Sequence, residues 1–228
     1  MIYFSHRGAN TQRVQNTVDA FALAHAQGAR CFELDVHLLK DGQLAVHHDY
    51  SLLNTAGADV PFTALTAADL TNYPLKNPFT QTPVYVPLLQ QVLPVITPGL
   101  QLLNIELKND NNRYPGLEQL LLKTIPADLL PTTLFSSFDY GTLQRLRTLA
   151  PHARLGQLTR AFNVQKALDV QAESIHLNHT RFTPQIAQIC HAHHLKVYCY
   201  TVNDKALAAR LYTHGADGIF TDQISSFL

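Results

Sequence analysis

Short runs of β-branched, aromatic and leucine-rich residues alternate with amphipathic stretches along almost the whole sequence, the pattern that builds a parallel sheet with crossover helices. Eight strands are expected: Ile2 to Ser5, Cys31 to His37, Leu102 to Leu107, Thr133 to Phe138, Arg154 to Leu158, Ser174 to Leu177, Lys196 to Thr201 and Gly218 to Thr221. Helices are expected at Val18 to Gln27, Leu117 to Lys123, Tyr140 to Leu149, Val164 to Val170, Pro184 to His194 and Asp204 to His214. Asn163 and Asn203 suit N-caps, and Gly28 and Gly215 suit left-handed closing positions. Eight such units close into a barrel, so the fold class is α/β, a TIM (β/α)8 barrel. Residues 39–99 break the pattern. They open with Lys40-Asp41-Gly42-Gln43, a hairpin signal that returns the chain through Leu44 to His47 as an extra strand. Pro61, Pro74, Pro78, Pro83 and Pro87 then interrupt any regular element until Leu88 to Ile96 resumes as a helix. The expectation is one domain over residues 1–228, with a small insertion after the second strand.

Composition narrows the function. A hydrophobic content of 46% over 228 residues sustains a sizeable core. Seventeen basic residues balance 17 acidic ones with no long run of either sign, which argues against a nucleic-acid surface or a polybasic membrane anchor. Cys31, Cys190 and Cys199 are odd in number and form no Cys-x-x-Cys pair, as expected of reduced core thiols in a cytoplasmic protein. An export signal of roughly 15 to 30 residues does not fit before the polar motif at His6. No apolar run approaches the ~20 residues of a membrane span.

Barrel enzymes carry their chemistry at the C-terminal ends of the strands. Here the first strand runs into His6-Arg7-Gly8, the second carries Glu33 and Asp35, the third carries Glu106 and Lys108, and the hairpin returns with His47-His48-Asp49. Strand alternation puts Glu33 and Asp35 on one face. Two carboxylates inside a barrel are unfavourable unless a cation or protons compensate them. Glu106 adds a third from the next strand. An all-oxygen set suits Mg²⁺, with Mn²⁺ or Ca²⁺ as alternatives and Zn²⁺ less suited. The plainer alternative, ordinary ion pairs with Arg7, Arg30 or Lys108, explains each acid singly better than it explains the three together.

These motifs, with Asn16-Thr17, Phe32-Glu33-Leu34-Asp35-Val36, Lys40-Asp41-Gly42, His48-Asp49 and Asn104-Ile105-Glu106-Leu107-Lys108, resemble the glycerophosphodiester phosphodiesterase family in order and spacing. Ser136-Ser137-Phe138, Ser174 to His179, Tyr200-Thr201-Val202-Asn203 and Gly215 to Gly218 extend the resemblance over essentially the whole chain, closest to the short bacterial cytoplasmic members. The resemblance implies that Glu33, Asp35 and Glu106 hold one divalent cation and that His6 and His48 form the acid and base pair. The implied reaction is hydrolysis of a glycerophosphodiester to sn-glycerol 3-phosphate and an alcohol. Such a reaction needs neutralised phosphate oxygens, a proton acceptor and a proton donor. Arg7 and Lys108 can join the cation in the first task, and two imidazoles can divide the others. Which histidine is the acid stays open, as does attack by water or by the neighbouring glycerol hydroxyl. Phospholipase C- or D-like cleavage is the alternative on the same scaffold, against which the lack of a basic face or membrane-seeking helix counts. A ligand-binding barrel without chemistry would not need both the acids and the histidine pair.

Several residues keep two readings. His176 and Asn178 either line the glycerol pocket or merely bond at the end of the sixth strand. His37 shares a face with Glu33 and Asp35 and can approach them, whereas His47 alternates away. Asp49 either orients His48 or closes a turn; Gly8 either turns beside the phosphate or is an ordinary loop glycine. Asn16 and Thr17 either brace the site or cap the first helix. The chain departs from the family pattern twice. Val14-Gln15 stands where Pro-Glu is common, which should alter how the site is supported or how tightly it holds metal. Tyr200 stands where Trp is common and retains an aromatic wall for the substrate.

Overall fold

The computed structural model describes residues 1–228. Its strands are β1 (Ile2–His6), β2 (Cys31–Leu38), β3 (Leu44–Val46), β4 (Leu102–Leu107), β5 (Thr133–Ser137), β6 (Arg154–Thr159), β7 (Ser174–Asn178), β8 (Lys196–Tyr200) and β9 (Gly218–Thr221). The helices are α1 (Val18–Ala26), α2 (Leu53–Ala56), α3 (Leu89–Ile96), α4 (Leu117–Thr124), α5 (Tyr140–Leu149), α6 (Val164–Asp169), α7 (Pro184–Ala192) and α8 (Lys205–Thr213). Strand order β1-β9-β8-β7-β6-β5-β4-β2 closes through a β1–β2 pairing, and every pairing in that ring is parallel. The expected TIM barrel is therefore formed. The extra strand β3 pairs antiparallel with β2 outside the ring, with Val36 opposite Val46.

Alternation divides the barrel into two environments. Outward residues of β2, Phe32, Leu34 and Val36, join a 34-residue core with α1, α3, α4 and α5. Apolar residues of the insertion, among them Leu52, Phe62, Leu70 and Val86, enter that same core. Inward residues fill the floor of the barrel with Phe4, Leu102, Leu134, Tyr198 and Phe220. Phe4 stacks on Phe220 at 4.6 Å between ring centroids and meets Tyr198 edge-on at 5.2 Å. Above this apolar floor the inward positions become Glu33, Asp35, Asn104 and Glu106, so the chemistry is confined to the rim.

Local signals explain the ends of the elements. Thr17 caps α1 by accepting the Ala20 amide, and Asn163 caps α6 by accepting the Lys166 amide. Gly28 and Gly215 close α1 and α8 with φ of 103° and 100°. Asn203 is corrected: Asp204 caps α8, taking the Leu207 amide at 2.7 Å, because Asn203 is engaged with Asp222. Gly8, at φ 84°, brings the first loop so close to α1 that a Cβ there would lie 2.6 Å from the Ala20 carbonyl carbon, so close approach is its physical role. No helix is long and apolar enough to cross a membrane.

Candidate active site

Register brings the acids together. Asp35 lies beside Glu106 across β2 and β4, and Glu33 lies beside His6 across β2 and β1. One ligand oxygen from each of Glu33, Asp35 and Glu106 falls within 4.8 Å of the others, and all three residues are buried. Two cations face them. Lys108 Nζ stands 2.6 Å from Glu106 Oε1 and 3.1 Å from Asp35 Oδ1, while Arg7 Nε stands 3.1 Å from Asp35 Oδ2. Asn16, itself in the left-handed region, donates to Asp35 Oδ2 at 2.8 Å and so braces the site, leaving the capping role to Thr17.

Three carboxylates against two fixed cations leave one negative charge, and the ionisation of the acids reflects the imbalance. Burial drives Asp35 upward, but Lys108, Arg7, His48 and the Asn16 hydrogen bond outweigh it and hold this acid ionised below the usual carboxylate range. Burial, reinforced by Asp35, pushes Glu33 well above that range. Burial also raises Glu106, with Lys108 opposing it. Glu33 Oε2 is a buried oxygen with no hydrogen-bond partner. An orphaned oxygen among hard donors is a fit for a divalent cation such as Mg²⁺, and Glu33, Asp35 and Glu106 are the residues that would hold it.

Each candidate histidine has an aspartate behind it. His6 Nδ1 donates to Asp222 Oδ1 at 2.7 Å, and His48 Nδ1 donates to Asp49 Oδ1 at 2.7 Å. A carboxylate only accepts, so the neutral rings carry their protons on Nδ1 and keep the Nε2 lone pairs free. His6 Nε2 lies 3.9 Å from Glu33. Asp222 is tied further by Asn10 at 2.6 Å and Asn203 at 2.8 Å; Asp49 accepts from Asn54 at 3.0 Å. Burial lowers both imidazoles below their ordinary value of 6.5, with Arg7 adding to the effect at His6 and Asp222 opposing it. Asp35 opposes it at His48.

His6, Arg7, Glu33, His48, Glu106 and Tyr200 line one inner cavity of about 210 Å³. Tyr200 meets Phe138 edge-on at 6.1 Å, and the Arg160 guanidinium covers the Phe138 face at 4.4 Å. The other candidates lie elsewhere. Lys108 is held by the Glu106 and Asp35 carboxylates and does not line this cavity. His176 is one layer too deep: it is fully buried, bonded to Ser174 at 2.8 Å and packed against Tyr198 and Phe220, in space that Gly156 opens by lacking a Cβ. Asn178 accepts the Thr180 amide at 2.9 Å, and neither it nor His176 is among the residues lining this cavity. His37 sits under the insertion, 2.8 Å from the Tyr114 hydroxyl and stacked on Phe62 at 4.7 Å. His47 is bound to Thr55. Gln15 replaces the usual acid by accepting Arg7 Nη1 at 2.8 Å.

Sequence reasoning missed Asp222, Asn10, Asn203 and Arg160. Asp222 directly follows β9, so the rule that polar residues at strand ends carry function would have found it. Asn10 offered no local signal, since its contact with Asp222 joins opposite ends of the chain.

The fold and its rim chemistry define a class, the TIM-barrel hydrolases. The chain belongs to the glycerophosphoryl diester phosphodiesterase family, which matches residues 6–226. It is 34% identical over 228 residues to a glycerophosphodiester phosphodiesterase of Bacillus altitudinis, covering 96% of this chain and 93% of the relative. A glycerophosphodiester phosphodiesterase of Caldanaerobacter subterraneus is 30% identical, covering 97% and 93%. Among solved structures, an Oleispira antarctica phosphodiesterase in complex with the product sn-glycerol-3-phosphate superposes with a TM-score of 0.87 at 28% identity, covering 99% of this chain and 94% of that one.

Proposed function

We propose that this chain, acting as one domain, hydrolyses small glycerophosphodiesters to sn-glycerol 3-phosphate and an alcohol in the cytoplasm, with Mg²⁺ at Glu33, Asp35 and Glu106. The observation that carries the reading is the pair of Asp–His units flanking three buried acids at one barrel rim. When bound, the cation supplies charge to stabilise the phosphate oxygens. Arg7 lines the cavity beside it and, with neutral Gln15 as its second partner, keeps positive charge to offer an anionic ester. One histidine accepts a proton at Nε2 from the attacking hydroxyl or water; the other, protonated, donates from Nε2 to the leaving alkoxide. Asp222 and Asp49 fix the rings and favour the imidazolium form as each takes up a proton. Three free cysteines fit a reducing compartment.

Purified protein with Mg²⁺ should release sn-glycerol 3-phosphate from glycerophosphoethanolamine or its choline analogue, measured by coupled oxidation of the product. Absence of turnover on every glycerophosphodiester offered would end the reading. The pH profile is a second expected result. A histidine acting as base must be neutral, and burial depresses both rings below 6.5. Because one ring must be neutral and the other protonated, kcat/KM should follow a bell-shaped profile, its acid limb at an apparent pKa under 6.5 and activity falling again at higher pH as the donor ring loses its proton. An acid limb centred above 7 would contradict this assignment.

A further inference from the structure

His6, Arg7 and His48 lie on the boundary of two cavities and are the only residues the two share. The inner cavity of about 210 Å³ is lined by Glu33, Glu106 and the aromatic wall; the outer one, about 490 Å³, is lined by the first loop and the insertion. Sites that enclose a small molecule run to about 300–1,000 Å³, so the inner space is small for an entire diester. A phosphate placed at the shared residues sends one ester arm into each cavity. The compact three-carbon glycerol arm fits the inner space, and the variable alcohol fits the larger one.

The charge of the outer cavity is one-sided. Apart from its histidines, its ionisable residues are Arg7, Arg13, Lys76 and Asp222. Asp222 is already held by His6, Asn10 and Asn203. Arg13 and Lys76 meet no carboxylate: Arg13 Nη1 donates to the Gln12 carbonyl at 2.7 Å, and Lys76 Nζ donates to the Asn54 carbonyl at 2.9 Å. A cationic alcohol group finds no free acid there, and the single phenyl ring, Phe79, is 40% exposed. We infer that the outer cavity is the alcohol subsite and that Arg13 and Lys76 make this chain prefer glycerophosphodiesters whose alcohol carries an acidic group, an inference that rests on the phosphodiesterase reading above.

Glycerophosphoserine and glycerophosphoethanolamine differ by one carboxylate, so the ratio of their kcat/KM values isolates the recognised group. An exposed ion pair is worth roughly 1.4- to 5-fold, so two donors set a wild-type preference for the serine diester of about 2- to 25-fold. In the double variant R13Q/K76Q the ratio falls towards one, and in R13E/K76E it inverts. R160Q keeps the wild-type ratio, because Arg160 belongs to the inner cavity. A wild-type ratio at or below one overturns the inference, as does a ratio that responds to R160Q and not to the outer pair. Lack of turnover on both diesters with Mg²⁺ would instead sink the phosphodiesterase reading itself.

Discussion

Replacing His48 with alanine is expected to lower kcat by about 10²- to 10⁴-fold, the usual worth of a positioned acid or base, while leaving the thermal midpoint close to wild type. His48 is partly exposed and contributes little packing, so its loss should register in chemistry and not in folding. His6→Ala should cost a similar factor, and the double variant little more than either single one, because two groups that divide one proton-transfer cycle act as a unit. The aspartates grade the effect. Asp222→Asn should be more damaging than Asp49→Asn, since Asp222 also anchors Asn10 and Asn203 and so joins the first loop to the segment after β8. Steady-state kinetics on one glycerophosphodiester with saturating Mg²⁺ provide the check. Near-normal turnover by both single alanine variants would remove these rings from the mechanism.

The strand pattern made the barrel legible because each unit is local: a short apolar run, a turn and an amphipathic helix can be read within about 30 residues. The acids were legible for the same reason, as alternation within β2 fixes Glu33 and Asp35 on one face and parallel pairing sets Glu106 beside them. Depth along a strand was harder to read. His176 and Asn178 have the right parity, yet a two-residue step separates a barrel plug from a turn cap, and neither reaches the cavity. His37 also has the right parity, but β2 pairs with β3 at that point and the insertion covers the ring with Phe62. Contacts between distant segments left no trace in the pattern. Asp222 reaches His6 across 216 positions, and whether Asn203 caps α8 or holds that aspartate is decided only when β8 and β9 are side by side.

Glu33→Gln should separate the stability of the empty site from that of the filled one. Without metal, Glu33 is disfavoured as an anion by burial and by Asp35, so its pKa in the folded chain stands above the unfolded value. The folded state then binds more protons than the unfolded state between those two values, and stability from this group falls as pH rises through that window. Asp35 has the opposite sign, its contribution being present above the unfolded value near 3.8 and lost as pH falls. Glutamine removes the first penalty and leaves the second contribution in place, so the metal-free variant should melt at or above wild type at pH 7 to 8. Mg²⁺ at about 100 times its dissociation constant should stabilise the wild type by about 2.7 kcal/mol, a rise of roughly 5–10 °C for a chain of this length. Chelation should reverse that rise and abolish turnover. In the glutamine variant one ligand oxygen is replaced by an uncharged amide, so both the Mg²⁺-dependent shift and most of the activity should vanish together. An equal Mg²⁺ shift in variant and wild type, or turnover that survives chelation, would place the cation elsewhere and leave Lys108 and Arg7 as the only charges balancing these acids.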